Sequence, residues 1–244
     1  MDIIEQDIDI ATPDGPMAAP GARPAAGGPH PAVIVVMEAF GVNPNITGIA
    51  ARFAEQGYVA LAPDLFHRSG RLRYAPYDKL QEMRAELRVG FSDSSIDADI
   101  QAAIDHLAAD PGVNGAVGIV GFCLGGRIAM QSAIRARGLS AAATYYGGFM
   151  FPGDDQPDAF HALREADALG IPVAGFFGAD DQNPTPEQAR ALDDRLTALG
   201  KEHRFHYYEG AGHGFFCDDR ASHNPQAADD AWRKTLDFFA QTLR

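Results

Sequence analysis

Residues 118–126 read GIVGFCLGG, a short apolar run that meets a cysteine set among glycines. The segment from Ala116 to Val120 is too short for a helix and is apolar at consecutive positions, which is typical of a strand buried on both faces. From Gly125 to Ala136 the apolar residues recur at helical spacing. The stretch therefore predicts a strand, a tight turn at Cys123 and a helix.

The same alternation extends along the chain. Further strands are predicted at 32–37, 58–62, 141–146, 173–177 and 202–208, and further helices at 46–56, 76–89, 95–108, 186–199 and 226–243. We place the N-cap of the 95–108 helix at Ser94 or Ser95. Residues 11–31, rich in Pro, Ala and Gly, suit a hairpin or a surface loop after a first strand, and we predict a loop.

Alternating strands and helices predict an α/β fold with a mostly parallel central sheet and helices on both faces. A chain of 244 residues is expected to form one domain that spans residues 1–244. Ligands of such sheets bind at the carboxyl ends of the strands, and Cys123 lies at one of these ends.

Composition excludes several functional classes. With 20 Lys and Arg against 33 Asp and Glu, the net charge of -13 repels phosphate backbones, so nucleic acid is not expected as a partner. No segment approaches the roughly 18 to 20 uninterrupted apolar residues of a membrane span. The acidic N-terminal stretch lacks the pattern of an export signal. We expect a cytoplasmic protein, as a monomer or small homo-oligomer.

Gly121 to Gly125 form the pattern G-x-C-x-G, the cysteine version of the G-x-S-x-G nucleophile elbow. Such a turn exposes the nucleophile, and the start of the following helix favours a thiolate and can stabilise an oxyanion. The alternative is that Cys123 is a small buried hydrophobe beside glycines that permit packing. A phosphate loop is excluded because Arg127 and Ile128 stand where it needs Lys and a hydroxyl, and Cys123 breaks a dinucleotide fingerprint.

A cysteine nucleophile needs a base and a group that orients the base. His213 lies in a glycine-rich turn directly after a predicted strand, which makes it the candidate base. Asp180 and Asp181 follow the predicted strand at 173–177, and either could accept a hydrogen bond from the imidazole. No cluster of residues has convincing metal-ligand spacing.

These motifs, in this order, make the chain resemble the dienelactone hydrolase (carboxymethylenebutenolidase) family of the α/β-hydrolase superfamily over nearly its whole length. The segments that carry the resemblance are Met37 to Asn43, Gly57-Tyr58, Pro63 to Leu65, Gly121 to Gly126, Gly178 to Asp181, Gly210 to Phe215 and Ala231 to Phe239.

The resemblance implies a hydrolase of lactones or activated carboxylic esters that needs no cofactor and works through a thioester. It implies Cys123 as nucleophile, His213 as base and Asp181 as orienting acid, because the family motif reads G-x-x-D. Glu38 would be an additional carboxylate that helps to switch the ionisation of the thiol. The backbone N–H groups of Leu124 and Ala39 would form the oxyanion hole.

One position departs from the family pattern, and it bears on the substrate. The family places an arginine that holds a substrate carboxylate four residues after the histidine, where this chain has Cys217. Arg220, Arg84 or Arg88 could supply a cation instead, although the last two could equally be solvated helix residues. Cys217 itself either lines the substrate pocket or is an inert core thiol.

A second class of function also fits the sequence. A non-hydrolytic ligand-binding or thiol redox-sensing protein could keep this fold and these residues without turnover.

Overall fold

The structure, a computed structural model, describes residues 1–244 and divides into two compact units. The first unit comprises 1–119, 136–139 and 243–244, and the second comprises 120–135 and 140–242. The single domain expected from the length therefore stays a prediction.

The first unit contains four complete strands, three helices and the start of a fifth strand. Its elements are β1 (Ile3–Thr12), β2 (Gly15–Pro24), β3 (His30–Val36), α1 (Pro44–Glu55), β4 (Val59–Leu61), α2 (Leu80–Leu87), α3 (Asp93–Ala109) and β5 (Val113–Phe122), which continues into the second unit.

The loop predicted at 11–31 is wrong and the hairpin alternative is right, because β2 lies within this segment and pairs with β1. β1 and β2 pair antiparallel along their full length, from Ile3 opposite Pro24 to Thr12 opposite Gly15. The small apolar side chains of β2 are used for packing, since Met17, Ala18 and Ala19 are fully buried. Proline and alanine suggested a loop in the sequence. Here they belong to a hairpin whose buried face requires small residues.

Two helix starts also differ from the prediction. The α3 N-cap is Ser92, whose hydroxyl accepts from the Ser95 N–H in a capping box, and not Ser94 or Ser95. α2 begins four residues later than expected, at Leu80. Tyr77 is held by tertiary contacts, because its hydroxyl accepts from the Asn43 side chain at 3.1 Å and its ring packs edge-on against Phe40.

The second unit begins with the end of β5 and contains three further strands and four helices. Its elements are α4 (Leu124–Arg135), β6 (Ala141–Tyr145), α5 (Ala162–Glu165), β7 (Val173–Gly178), α6 (Pro186–Ala198), β8 (His203–Tyr208) and α7 (Pro225–Thr242). A sheet of eight strands results, in the order β1-β2-β4-β3-β5-β6-β7-β8. The pairs β3–β4, β6–β7 and β7–β8 are parallel, whereas β2–β4 is antiparallel like the hairpin.

The predicted α/β class with a mostly parallel sheet is therefore confirmed. Apolar runs in the sequence correspond to buried strands, since every residue of β6 and β7 is buried. Of the helices in the structure, none combines the length and the apolarity that crossing a membrane requires.

Glycines permit the close backbone packing at the turn between β5 and α4. A Cβ on Gly121 would collide with the carbonyl group of Gly125, and one on Gly126 would lie 2.6 Å from the Tyr145 carbonyl oxygen. Because both neighbours are backbone atoms, neither can move aside as a flexible side chain would. The turn that carries Cys123 therefore requires glycine at these positions.

We expect Gly121→Ala to lower the free energy of unfolding by more than about 3 kcal/mol, because the new methyl group collides with backbone. Urea denaturation followed by circular dichroism measures the change. Gly48→Ala is the matched control. Gly48 lies exposed in α1, and a methyl group added there would have no atom within 4 Å, so this change should stabilise the protein by about 0.5–1 kcal/mol. Equal stabilities of the two variants would contradict the packing argument.

Candidate active site

Cys123 lies in the turn between β5 and α4 with a backbone φ of +55°. Non-glycine residues adopt this left-handed region at a cost of roughly 1–2 kcal/mol, so neighbouring contacts must hold the turn. The Cys123 N–H donates to the Tyr145 carbonyl at 3.1 Å, and the Cys123 carbonyl accepts from the Gly148 N–H at 3.0 Å. These bonds tie the turn to the end of β6.

Cys123 is less exposed than the elbow pattern predicts, with 7% of its surface accessible. The segment after β6 covers it, because Gly148 bonds to its carbonyl, and His213 bonds to its side chain.

Leu124 is the first residue of α4. Backbone N–H groups in the first turn of a helix have no acceptor within the helix, and they carry partial positive charge. The residue after the cysteine thus presents a donor at the end of a helix that favours negative charge.

His213 lies in the turn that follows β8, and this turn packs against the end of β7. A Cβ on Gly178 would collide with the Ala211 carbonyl group, so glycine allows the two segments to approach. The Asp180 N–H donates to the same carbonyl at 3.0 Å. The turn itself uses positive φ at Gly210 and Gly214, of +70° and +80°. The backbone thereby brings the histidine loop to the acidic loop.

Asp181, and not Asp180, contacts the imidazole. The two carboxylate oxygens of Asp181 lie 3.2 and 3.0 Å from Nδ1 of His213, and the Asp181 side chain is 1% exposed. Asp180 is exposed, and the N-cap of α6 is Thr185, so neither aspartate caps that helix. Because Nδ1 faces Asp181, Nε2 is the nitrogen left for the Cys123 sulfur.

Two opposing effects set the pKa of His213. Burial lowers it, but hydrogen bonds to the Asp181 and Cys123 side chains, with the negative charges of both groups, outweigh burial and raise the pKa to about 10. The imidazole is therefore protonated at neutral pH when it lies between a carboxylate and a thiolate. A sulfur, an imidazole and a carboxylate in this hydrogen-bonded series can carry out nucleophilic attack and proton transfer.

Comparison with known proteins identifies the family of this chain. Residues 17–243 match the model of the family described as "Dienelactone hydrolase family". The chain belongs to the dienelactone hydrolase family. It is therefore an ester-cleaving hydrolase with the α/β-hydrolase fold.

Relatives and a solved structure extend the match over nearly the whole chain. A proposed carboxymethylenebutenolidase from Synechocystis sp. is 34% identical over 230 residues, which cover 91% of this chain and 91% of that protein. A carboxymethylenebutenolidase from Pseudomonas sp. is 32% identical over 218 residues, 87% of this chain and 85% of the relative. The crystal structure of a proposed dienelactone hydrolase from Klebsiella pneumoniae superposes with a TM-score of 0.89 at 33% identity, covering 99% and 100% of the two chains.

The family resemblance also pointed to residues that the structure places in the first unit. Glu38 and Ala39 lie shortly after β3, which ends at Val36, and are buried, with 2% and 8% of their surfaces accessible. Arg84 is exposed on α2, and the Arg88 guanidinium lies 5.6 Å from the centre of the Phe91 ring. The roles assigned to these four residues stay predictions.

The position at which this chain departs from the family pattern lies beside the histidine loop. Cys217 is buried, with 1% of its surface accessible, which favours the core-thiol alternative. The half-buried Arg220 packs its guanidinium group directly against Gly214, where a Cβ would overlap it. Arg220 thus packs against Gly214, the residue that follows His213 in the sequence.

Two residues near the site were not predicted from the sequence. Tyr146 packs its ring edge-on against the His213 imidazole, with centroids 5.2 Å apart. The Asn183 N–H donates to Asp181 Oδ1 at 2.8 Å. An aspartate that accepts from the N–H two residues later is a common turn motif, so the segment Asp181 to Asn183 held a signal for the second contact. The Tyr146 contact joins distant segments, and no local pattern indicates it.

Asp181→Asn should lower the pKa of His213 below about 10, since it removes the negative charge on Nδ1. The raised pKa stabilises the folded state fully below pH 6.5, and this contribution is lost as the pH rises through about 10. The stability advantage of wild type over the variant should therefore shrink across that interval. NMR titration of the imidazole and denaturation at several pH values measure both effects. Asp180→Asn is the control, and an equal shift in the His213 titration there would contradict the assignment.

Proposed function

We propose that this protein hydrolyses lactones or activated carboxylic esters, with Cys123 as nucleophile, His213 as general acid and base, and Asp181 as the carboxylate that orients His213. The observation that supports this proposal is the hydrogen-bonded series from Cys123 through His213 to Asp181, placed on a strained turn at the start of a helix. Membership of a family of ester-cleaving hydrolases supports the same reaction class.

Acylation begins from a thiolate beside a protonated imidazole. The Cys123 sulfur attacks the carbonyl carbon, and the carbonyl electron pair moves to oxygen to form a tetrahedral oxyanion. The oxyanion then collapses, the bond to the leaving oxygen breaks, and His213 donates its proton to that oxygen. A thioester on Cys123 and a neutral imidazole result.

The pKa of His213 explains how one residue serves as acid and then as base. Its high value depends in part on the hydrogen bond to Cys123 and on the negative charge of the sulfur. Both contributions vanish when the sulfur is acylated, so the pKa falls and the neutral imidazole can accept a proton from water. Hydroxide attacks the thioester, the carboxylic acid leaves, and the thiolate–imidazolium pair is restored.

Within this proposal the Leu124 N–H donates to the oxyanion. Leu124 is supported by its place at the first turn of α4, and a donor of this kind is worth about 10²- to 10³-fold in rate. Ala39 and the ionisation role of Glu38 rest on the family resemblance alone.

The sulfur nucleophile restricts the substrate class. A thiolate is a better leaving group than an alkoxide, so a tetrahedral intermediate formed from a plain alkyl ester returns to the starting ester. Enol lactones and aryl esters release a more stable oxygen anion and therefore react forward. We accordingly assign activated esters and lactones, rather than amides or simple alkyl esters, to this site.

Arg220 supports a preference for substrates that carry a carboxylate. Its guanidinium group packs against Gly214, next to the histidine. Within this proposal Arg220 takes the function that the family gives to an arginine at the position of Cys217. The net charge of -13 makes such a local cation necessary for an anionic substrate.

The central test is a panel of lactones and aryl esters with wild type, Cys123→Ala and Cys123→Ser. Wild type should release p-nitrophenol from p-nitrophenyl acetate and show a mass increase of one acetyl group on the Cys123 peptide. Cys123→Ala should lose turnover by at least about 10³-fold, because the nucleophile is absent.

Cys217→Ala is the matched control, since it removes the other cysteine and should leave the rate within about twofold. Turnover that survives in Cys123→Ala would overturn the assignment of the nucleophile. Reversible oxidation of Cys123 with no acyl-enzyme from any ester would favour the redox-sensing alternative.

Arg220→Gln should raise KM about tenfold for an aryl ester with a free carboxylate and leave the neutral ester of the same alcohol unchanged, because only the anion uses the guanidinium charge. Steady-state kinetics on the two esters separates these cases. Arg233→Gln, a change at an exposed arginine on α7, is the control. A similar loss on both esters would show that Arg220 acts on the loop and not on the substrate charge.

A further inference from the structure

The segment from Tyr146 to Phe149 follows β6, contacts Cys123 and His213 of the proposed triad, and is joined to Asp181 through Asn183. The Gly148 N–H donates to the Cys123 carbonyl at 3.0 Å. A Cβ built on Gly148 would lie 3.6 Å from Cε1 of His213 and 3.6 Å from the Asn183 carbonyl oxygen. Phe149 therefore directly follows Gly148, the residue that bonds to Cys123 and lies close to His213.

A side-chain bond fixes Phe149 to the acidic loop. Its N–H donates to Oδ1 of Asn183 at 3.0 Å, and the Asn183 N–H in turn donates to Asp181 at 2.8 Å. Asn183 thus joins the Phe149 backbone to the carboxylate that holds His213. The position of Phe149 is set by the same contacts that set the triad.

The backbone of this segment is strained. Tyr146 and Phe149 have φ values of +36° and +64°, which non-glycine residues seldom adopt. The segment already contains glycine at 147 and 148, so the chain places a bulky residue at Phe149 although a glycine there would relieve the strain. Strain that is kept next to reacting groups commonly has a functional reason.

Phe149 is exposed, whereas aromatic rings of this unit are otherwise largely packed. Its surface is 47% accessible, and no other large hydrophobic residue of the second unit is exposed. The next residue, Met150, is fully buried, and its carbonyl accepts from the Ala162 N–H at 2.9 Å. The chain therefore holds the ring at the surface although its neighbour enters the core.

We propose that Phe149 is a specificity-determining residue, whose ring contacts an aryl group next to the reacting carbonyl of the substrate. This inference rests on the proposed function, because it concerns substrates of the same cysteine. An exposed ring on the residue that follows Gly148 can stack on an aryl group of the substrate and lose water-accessible surface when the substrate binds. A substrate without an aryl group makes no such stacking contact with Phe149.

The test compares phenyl acetate with vinyl acetate, which share an acyl group and differ in the apolar group. Phe149→Ala should lower kcat/KM for phenyl acetate about tenfold and change the value for vinyl acetate by less than about twofold. Phe149→Tyr should keep the wild-type preference because it keeps the ring. Val89→Ala, at another exposed hydrophobic residue, is the matched control.

A second measurement does not depend on turnover. Alkylation of Cys123 by 2-bromoacetophenone and by iodoacetamide is followed by mass spectrometry of the Cys123 peptide. Phe149→Ala should slow the aromatic reagent about fivefold relative to iodoacetamide.

The outcomes separate this inference from the proposed function. If wild type hydrolyses neither ester, the proposed function is wrong. The role of Phe149 is then tested by the ratio of the two alkylation rates alone. Equal losses on both esters, or an unchanged ratio of the two alkylation rates in Phe149→Ala, would overturn the inference.

Discussion

The left-handed backbone at Cys123 is the constraint on which the proposed chemistry depends. It exists because Gly121 has no side chain where the Gly125 carbonyl group must lie, and because the N–H and carbonyl of Cys123 are bonded to the segment at the end of β6. The same turn starts α4, so the nucleophile, the helix N-terminus and the Leu124 N–H are positioned together. A different backbone conformation at this residue would separate all three.

The charges around His213 are the second constraint on the proposed chemistry. The His213 imidazole lies between a buried carboxylate and the cysteine side chain, and this raises its pKa to about 10 in spite of burial. A histidine in such surroundings is held as a proton donor until the sulfur loses its charge. In the proposed mechanism, the order of the reaction, attack first and activation of water second, follows from which groups carry charge at each stage.

Around Cys123 and His213, glycines and loop contacts position the groups that would face a substrate. Gly178 lets the histidine loop reach the acidic loop, and Asn183 connects that loop to Phe149. The core of the site follows the family pattern, whereas the position of the expected arginine holds the buried Cys217. Arg220 and Phe149 are the side chains through which we infer that this chain differs in substrate preference from family members that have that arginine.

The sequence by itself determined the fold class and the elbow, because both depend on short-range patterns. The consecutive apolar residues 32–36 form a run too short for a helix, which predicts a strand buried on both faces, and these five residues are buried. The spacing Gly121-x-Cys123-x-Gly125 likewise allows few backbone conformations. Candidate residues for acid and base followed from their places after predicted strands, although Asp180 and Asp181 were equivalent in that respect.

Tertiary structure alone decided the features that join distant segments. The family motif favoured Asp181 over Asp180, but the contact itself depends on the direction in which the loop turns when it meets a histidine 32 residues later. The hairpin strand at 15–24 depends on a packed surface that accepts small side chains, and the start of α2 depends on contacts of Tyr77 with residues more than 30 positions away. Local propensity cannot encode these choices, because the competing conformations differ little in energy until long-range contacts form.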